Sequence, residues 1–284
     1  FKKCSKGQLI MACGTGKTYT YFWIHKENKS KKTLVLVPSL NLLSQTLEEW
    51  IKANGSSFTS LCICSDPSAA KNVQEDEVVL DQSDIPYSVT WDVKEIVSFL
   101  KRPEPTVIFS TYQSSDLIAK AQKKVPDHMF DLSIADEAHR CTGKANSEFT
   151  TILDDKKIRS HKKLFGTATP KLYATYIKKA AQDKEIEIID MNDEEKFGVV
   201  LHNLSFGKAI KKKLLADYQV IVVGVNDSRV KEMIDQREFI SIKENHKSDA
   251  ASLGAQLGFI KAIKDYNLSR LVTFHGRVKK ASDF

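Results

Sequence analysis

The sequence predicts an α/β fold in which helices cover both faces of a parallel sheet. Short apolar runs recur along the chain, and they are apolar throughout rather than alternating, which is typical of strands buried on both faces. Helical segments separate several of these runs, as the crossover connections of a parallel sheet require. The predicted strands are Thr33 to Val37, Thr106 to Ser110, Leu132 to Ala135, Lys163 to Gly166 and Glu187 to Ile189, and two of the predicted helices are Leu40 to Lys52 and Lys171 to Asp183.

The stretch from Met11 to Thr18, MACGTGKT, is the first element with a chemical signature. It lies between an apolar segment and a helical one, which is the strand–loop–helix context of a phosphate-binding loop. Gly14 and Gly16 let backbone N–H groups approach an anion closely at a helix N-terminus, where the helix dipole adds to the attraction. Lys17 is expected to reach the β- and γ-phosphates, and Thr18 to offer its hydroxyl to Mg²⁺. The expected nucleotide-binding residues are Ala12, Cys13, Gly14, Thr15, Gly16, Lys17 and Thr18.

An acidic motif, Asp136-Glu137-Ala138-His139, follows the predicted strand Leu132 to Ala135. A carboxylate at the carboxyl end of a parallel strand faces the crevice in which such sheets bind ligands. Asp136 is therefore expected to hold Mg²⁺, and Glu137 to orient and deprotonate the water that attacks the γ-phosphate. Taken alone, the first motif could be a plain glycine turn and the second an acidic strand end. Together they indicate an NTPase with Lys17, Asp136 and Glu137 as catalytic residues.

The composition suits a globular protein with a polyanionic partner. Hydrophobic residues make up 42% and charged residues 28%, and no apolar run approaches the length of a membrane span, so we expect a cytoplasmic protein that does not bind membranes. The net charge of +7 favours a polyanion, although lysine-rich surfaces also serve solubility. The five cysteines are odd in number and lack paired spacing, which indicates reduced thiols rather than a zinc site or a disulfide framework.

The pattern changes from about Asp193 onwards, where an acidic stretch leads into new predicted elements. These are a strand from Tyr218 to Val225, a helix from Ala250 to Asp265 and a strand from Leu271 to Phe274. We interpret them as the beginning of a second α/β domain, which is too short to be complete. The polar stretch from Ser65 to Ser88 is expected to be a surface insertion.

The motifs stand in the order found in the DEAD/DEAH-type helicases and translocases of superfamily two, which the chain resembles over much of its length. LVLVPSLNLLSQTLEEW (34–50) resembles motif Ia, FSTYQS (109–114) the strand-contacting motif that follows it, GTATP (166–170) motif III and LVTFHGRVKKASDF (271–284) motif IV. The phrases DEAHRCTG, TATPKLY and TFHGRVKKASDF are similar to those of large bacterial predicted helicases. That group includes the motors of single-polypeptide, type ISP restriction-modification enzymes.

The resemblance implies a RecA-like first domain over residues 1–195 and the incomplete amino-terminal part of a second RecA-like domain over residues 196–284. It also implies ATP and Mg²⁺ as cofactors and DNA, held as a duplex through its backbone, as the partner, and hence an ATP-dependent DNA helicase or double-strand translocase. The residues implied to couple the nucleotide to DNA are His139, Arg140, Thr167 and Thr169. The residues implied to contact nucleic acid are Ser39, Ser110, Thr111, Gln113, His275 and Arg277. Ser39 could equally be a helix N-cap, and Phe274 a core residue.

Several family features are missing from the sequence. The adenine-reading glutamine of the family lies upstream of the phosphate loop, and Gln8 is a poor substitute for it. Motif VI, with its paired arginines, is absent, and because an arginine finger contributes about 10³- to 10⁵-fold in rate, we expect the chain alone to hydrolyse ATP weakly or not at all. No nuclease or methyltransferase motif is seen, and the chain begins at Phe1 rather than at Met. These departures favour a fragment of a larger restriction, defence or DNA-processing enzyme whose other segments lie elsewhere. An RNA-acting helicase and a non-catalytic nucleotide- or DNA-binding module stay open as alternatives.

Overall fold

A computed structural model describes residues 4–55, 58–64, 89–144, 148–174, 187–218, 220, 239–243 and 246–274. The chain divides into two compact units. One is formed by Phe1–Lys71 and Val79–Ala216, and the other by Asn72–Val78 and Asp217–Phe284. Within the described ranges, no helix is both long enough and apolar enough to cross a membrane.

The first unit is built on one large sheet with helices on both faces. The strands of the sheet are β1 (Lys6–Met11), β2 (Lys32–Val37), β3 (Ser60–Ile63), β4 (Val89–Thr90), β5 (Thr106–Thr111), β6 (Leu132–Ala135), β8 (Lys163–Thr167) and β10 (Val199–Leu204), and two short strands outside it are β7 (Gly143–Lys144) and β9 (Ile188–Ile189). The helices are α1 (Lys17–Glu27), α2 (Leu40–Asn54), α3 (Val93–Leu100), α4 (Ser115–Lys123), α5 (Glu194–Phe197) and α6 (Phe206–Lys211). Short 3₁₀ helices cover Tyr112–Ser114, Ala138–Cys141 and Glu148–Leu153.

The eight strands are ordered β10-β1-β8-β6-β2-β5-β3-β4, and every neighbouring pair is parallel. The predicted α/β class with a parallel sheet is confirmed. Four of the predicted strands correspond to β2, β5, β6 and β8, and the predicted helix Leu40 to Lys52 corresponds to α2.

The central strands are apolar throughout because both faces of the sheet are covered. On β2, Leu34 packs in a core cluster that includes Ile96 of α3. Its neighbour Val35 points to the other face and packs in a second cluster that includes Trp50 of α2. All four side chains are buried, so a continuous apolar run is what this position in the sheet requires.

The prediction that Glu187 to Ile189 belongs to the parallel sheet is wrong. Only Ile188–Ile189 is extended, and it pairs antiparallel with Gly143–Lys144 in a separate two-stranded ladder. The chain turns directly after it, because the buried carboxylate of Asp190 accepts hydrogen bonds from the backbone N–H groups of Tyr173 and Asn192.

The large sheet extends past the boundary expected at residue 195. Val199–Leu204 forms β10, which is hydrogen-bonded to β1 along its length, and the first unit continues to Ala216. The pattern did not predict this strand because β10 is an edge strand with mixed composition, VVLHNL, and only Leu204 of it is buried.

In the second unit, the described residues form an antiparallel pair, β11 (Phe239–Lys243) and β12 (His246–Asp249), followed by helix α7 (Ala250–Tyr266). The predicted helix Ala250 to Asp265 is confirmed as α7. The predicted strand Leu271 to Phe274 is wrong, since these residues form neither strand nor helix and Phe274 is 95% exposed rather than core. Most of Tyr218 to Val225, of Lys171 to Asp183 and all of Ser65 to Ser88 lie outside the described residues, and a RecA-like fold of this unit stays a prediction.

Candidate nucleotide-binding site

Three neighbouring strands bring the two sequence motifs to one edge of the sheet. Strand β8 lies between β1 and β6, and the register pairs Ile10 with Thr167 and Ala135 with Phe165. The loop after β1, the end of β8 and the acidic turn after β6 therefore meet where the strands end. This is the edge at which open parallel sheets bind ligands.

The loop after β1 has the conformation that its glycines allow. Gly14 and Gly16 both adopt positive φ, 77° and 85°, which a residue with a Cβ rarely adopts. The Thr15 hydroxyl donates a 2.6 Å hydrogen bond to the Ala12 carbonyl and closes the loop. Helix α1 begins at Lys17 with no side-chain cap, and its first backbone bond runs from Thr20 N to Gly16 O. The N–H groups before Thr20 thus have no carbonyl of the helix to bond, which favours an anion there.

Lys17 and Glu137 form an ion pair across this edge. Lys17 Nζ lies 3.6 Å from Glu137 Oε1, and both side chains are largely buried. Glu137 adopts the left-handed conformation, with φ 50° and ψ 45°. A non-glycine residue in that region is uncommon, and such strain often marks a functional site.

The Asp136 carboxylate is buried and held by two donors. Its Oδ1 accepts hydrogen bonds from the Tyr21 hydroxyl at 2.7 Å and from the Glu137 backbone N–H at 2.9 Å. Burial raises the pKa of Asp136, while the hydrogen bond from Tyr21 lowers it. Burial and the neighbouring Asp136 carboxylate raise the pKa of Tyr21 well above its ordinary value, so its hydroxyl stays a donor.

The donor set suits Mg²⁺ that arrives with phosphate. Asp136 and the hydroxyl of Thr18 are hard oxygen ligands, and Asp136 Oδ2 accepts no hydrogen bond from the residues that the structure describes. Among those residues, no group of three or more His, Cys, Asp or Glu side chains is arranged so that it could hold a metal ion by itself. Mg²⁺ commonly uses one or two carboxylates together with phosphate oxygens and water, so one carboxylate and one hydroxyl are a fitting pair.

Two buried tyrosines that contact Asp136 were not predicted from the sequence. Tyr21 donates to the carboxylate, and the Tyr112 hydroxyl donates a 2.7 Å hydrogen bond to the Asp136 carbonyl oxygen. Tyr21 follows Lys17 by four residues on α1, which places both on one face of the helix and is a signal that the sequence does contain. Tyr112 stands inside FSTYQS, and nothing in the pattern distinguishes it from a core residue.

The predicted coupling residues are only partly brought together. His139 Nδ1 lies 3.0 Å from Thr167 Oγ1 and 3.3 Å from Glu137 Oε2. The backbone N–H of Thr169 donates to Thr167 Oγ1 at 3.1 Å. Burial lowers the pKa of His139, and the Glu137 carboxylate raises it. Arg140 is exposed, and its guanidinium lies over the Phe149 ring, 6.0 Å from the ring centre. Its backbone N–H donates a 3.0 Å hydrogen bond to the Glu137 carbonyl oxygen.

The predicted nucleic-acid residues differ in accessibility. Ser39 is exposed, and its Oγ accepts a 3.4 Å hydrogen bond from Leu42 N. It is therefore the N-cap of α2, which was the alternative prediction for this residue. Ser110 and Thr111, at the end of β5, are buried, and their hydroxyls bond to Thr111 O and to Ser114 Oγ. The burial of these two side chains argues against their direct contact with nucleic acid, whereas the Gln113 side chain is exposed. His275 and Arg277 lie outside the described residues.

Both amide N–H groups of the Gln8 side chain donate to backbone carbonyls of the protein, so neither is available to a ligand. Gln8 is 3% exposed, and its Nε2 donates 2.8 Å hydrogen bonds to Met191 O and to Gly198 O. These bonds tie β1 to the segments on both sides of α5. The expectation that Gln8 is a poor substitute for an adenine-reading glutamine agrees with this placement.

The chain matches known proteins over this whole region. The family model described as "Type III restriction enzyme, res subunit" matches residues 2–172. The probable helicase A859L of African swine fever virus (isolate Tick/South Africa/Pretoriuskop Pr4/1996) is 30% identical over 224 residues, which cover 78% of this chain and 22% of that protein. The type I restriction enzyme EcoAI endonuclease subunit of Escherichia coli is 24% identical over 222 residues, which cover 77% of this chain and 21% of that protein. The chain thus spans about a fifth of the length of these curated relatives.

Two solved structures of type ISP restriction-modification enzymes are similar in both sequence and fold. The enzyme LlaBIII, solved bound to DNA, is 35% identical with a TM-score of 0.63, and the match covers 83% of this chain and 16% of that one. A nuclease-deletion mutant of LlaGI, solved with a DNA substrate mimic, is 32% identical with a TM-score of 0.56, and the match covers 84% of this chain and 20% of that one. The resemblance to type ISP enzymes that the motifs indicated is confirmed.

Proposed function

The chain belongs to the family of the type III restriction enzyme res subunit, and from that membership we propose that it is the ATP-binding part of a DNA helicase or double-strand DNA translocase. One observation carries the proposal. The phosphate-loop cation Lys17 lies 3.6 Å from the Glu137 carboxylate, next to the buried Asp136, at the ligand-binding edge of a parallel sheet. A plain turn and an unrelated acidic strand end would have no reason to meet there.

ATP would bind through the loop after β1. The backbone N–H groups of Gly16 and Lys17 would hold the phosphates, and Lys17 would exchange Glu137 for a γ-phosphate oxygen. Asp136 and Thr18 would hold Mg²⁺, which supplies neutralisation of phosphate charge. Two positive-φ glycines and an uncapped helix start support this assignment.

Glu137 would act once Lys17 has turned to the phosphate. Its carboxylate would orient a water and accept a proton from it as the water oxygen bonds to the γ-phosphorus. The bond from that phosphorus to the β,γ-bridging oxygen breaks, and ADP keeps the electron pair. His139 contacts both this carboxylate and the Thr167 hydroxyl, so the two residues are placed to respond when the γ-phosphate leaves.

DNA is proposed as the partner because the net charge is +7 and two similar enzymes were solved with DNA or a DNA mimic. Contacts to the phosphate backbone would make affinity fall steeply with salt. Since the chain spans about a fifth of its curated relatives, membership in a larger restriction or defence enzyme is part of the proposal.

The test measures phosphate release by the protein at its full natural length, and by the 284-residue chain, with duplex DNA, with RNA and with neither. We expect DNA to stimulate the full-length protein and the chain alone to turn over slowly. Lys17→Ala should abolish nucleotide binding, and Glu137→Gln should keep binding but abolish turnover. Turnover that survives both substitutions would refute the proposed site, stimulation by RNA alone would make the substrate RNA, and binding without turnover at full length would leave a non-catalytic module.

A further inference from the structure

Tyr21 reaches the Asp136 carboxylate from a different element of the fold. It lies on α1, one turn after Lys17, and it is completely buried. Its hydroxyl donates a 2.7 Å hydrogen bond to Asp136 Oδ1 although the two residues are 115 positions apart in the chain. A buried hydroxyl bonded to a buried carboxylate is a strong and geometrically specific contact.

The path of the Tyr21 side chain depends on Gly166 of β8. A Cβ at Gly166 would lie 1.7 Å from the Tyr21 hydroxyl oxygen and 2.5 Å from its Cζ, far inside contact distance. Because β8 lies between β1 and β6, the ring must cross β8 to reach the end of β6. The absence of a side chain at Gly166 therefore permits this contact, through which α1, β8 and the acidic turn after β6 all meet at Tyr21.

The contact fixes the orientation of the carboxylate. Oδ1 is engaged by the Tyr21 hydroxyl and by the Glu137 N–H, whereas Oδ2 accepts no hydrogen bond from the residues that the structure describes. Rotation of the carboxylate would break both bonds. The main chain of Asp136 is held separately, since Tyr112 donates to its carbonyl oxygen.

We propose that Tyr21 is a positioning residue for the metal carboxylate, which sets how tightly the site binds Mg²⁺ together with nucleotide by holding Asp136 Oδ1. The inference rests on the proposed function, in which Asp136 is a ligand of Mg²⁺. Groups that orient metal ligands in this way typically change metal affinity about 10- to 100-fold when they are removed.

The test compares Tyr21→Phe with Tyr112→Phe. Each variant loses one buried hydroxyl that donates to Asp136, but the Tyr21 hydroxyl donates to the carboxylate and the Tyr112 hydroxyl to the backbone carbonyl. The bound fraction of N-methylanthraniloyl-ATP is followed by fluorescence while Mg²⁺ is titrated, and the nucleotide affinity is also measured in EDTA. For Tyr21→Phe we expect the half-maximal Mg²⁺ concentration to rise about ten-fold or more. The affinity in EDTA should stay that of the wild type, and saturating Mg²⁺ should restore the full bound fraction, which misfolded molecules in the sample would lower.

Three further results decide the matter. An unchanged Mg²⁺ midpoint in Tyr21→Phe, or an equal shift in Tyr112→Phe, overturns the role of Tyr21 and leaves the proposed function intact. If Tyr21→Phe melts at a lower temperature than the wild type, both proteins are titrated below the melting transition of the variant, and the half-maximal Mg²⁺ concentration must still rise. If nucleotide binding by the wild type does not depend on Mg²⁺, and Lys17→Ala binds nucleotide as tightly as the wild type, the proposed function is refuted. The role proposed for Tyr21 is then refuted as well.

Discussion

Lys17 Nζ lies 3.6 Å from Glu137 Oε1, so the cation of the phosphate loop is paired with the carboxylate proposed as the general base. Both side chains are largely buried, and Glu137 is held at a positive φ by the turn that presents it. A γ-phosphate must therefore compete with Glu137 for Lys17. This competition separates the effect of Glu137 on binding from its effect on chemistry.

Replacing Glu137 with Gln should tighten the binding of ATP while it abolishes turnover. The neutral amide attracts Lys17 less than the carboxylate does, and it does not repel the phosphate charge. A partly buried pair of this kind is worth about 0.5–1 kcal/mol, so we expect about a two- to five-fold lower Kd, measured by titration with a fluorescent ATP analogue at fixed Mg²⁺. Glu104→Gln is the matched control, because it neutralises an exposed pair with Arg102 that precedes β5 at the other edge of the sheet. Weaker binding in Glu137→Gln would contradict the competition.

Replacing Thr167 with Val should uncouple hydrolysis from DNA. Thr167 Oγ1 lies 3.0 Å from His139 Nδ1 and accepts from the Thr169 N–H, so valine removes the hydroxyl that links His139 of the acidic turn to the end of β8. We expect nucleotide affinity to stay within two-fold and the ratio of phosphate release with and without DNA to fall about ten-fold or more. Thr142→Val is the control, since that hydroxyl bonds the carbonyl of the same histidine. An equal loss of DNA stimulation in both variants would mean that any hydrogen bond that holds His139 in place is sufficient, and that the bond to Thr167 has no specific role in coupling.

The sequence predicted the parts of the fold that depend on local pattern. Strands β2 and β6 are apolar throughout because they lie in the middle of the sheet, and the acidic motif could be placed because it follows such a strand directly. The edge strand β10 was not predicted, since only Leu204 of it is buried and His202 and Asn203 interrupt its apolar run.

Contacts between distant elements could not be predicted in the same way. The bond from Tyr21 to Asp136 exists only because α1 packs over β8 at Gly166, and no local pattern encodes that crossing. The burial of Ser110 also depends on what packs around the end of β5, so its hydroxyl looked available for a ligand when it is not.

Replacing Gly166 with Ala should destabilise the protein, because the new Cβ would lie 1.7 Å from the Tyr21 hydroxyl oxygen. Overpacking of this kind costs about 1–3 kcal/mol, measured as the free energy of unfolding in urea. The double variant with Tyr21→Phe should recover only part of that loss, since Cζ of the ring would still be 2.5 Å away. Gly207→Ala is the control, because a Cβ there meets nothing within 4 Å and alanine favours the helix. Equal effects at both glycines would show that the crossing of Tyr21 over Gly166 imposes no constraint.

The buried His128 should make the stability of the first unit fall in mild acid. Its Nδ1 accepts a 3.2 Å hydrogen bond from Gln122 Nε2. The pKa of His128 is lowered to about 4, first by burial and then by the charges of Lys32 and Arg159, against a smaller opposite effect of Asp131. In the unfolded chain the pKa is about 6.5, so between these values the unfolded state binds a proton that the folded state does not. Stability is therefore lost as the pH falls from about 6.5 towards about 4, by up to about 1.4 kcal/mol per pH unit.

The variant His128→Asn isolates this contribution, because its carbonyl oxygen can accept the same hydrogen bond without taking up a proton. We expect His128→Asn to be less stable than the wild type at pH 7, since the packing of the ring against Phe130 is lost. The difference should narrow by about 1–2 kcal/mol at pH 5, where only the wild type bears the cost of keeping the histidine neutral. Urea unfolding at the two pH values measures it, and His161→Asn, which changes an exposed histidine, should show no such narrowing. A difference between wild type and His128→Asn that stays constant with pH would mean that His128 takes up its proton equally in both states, and so that its burial does not exclude the charged form.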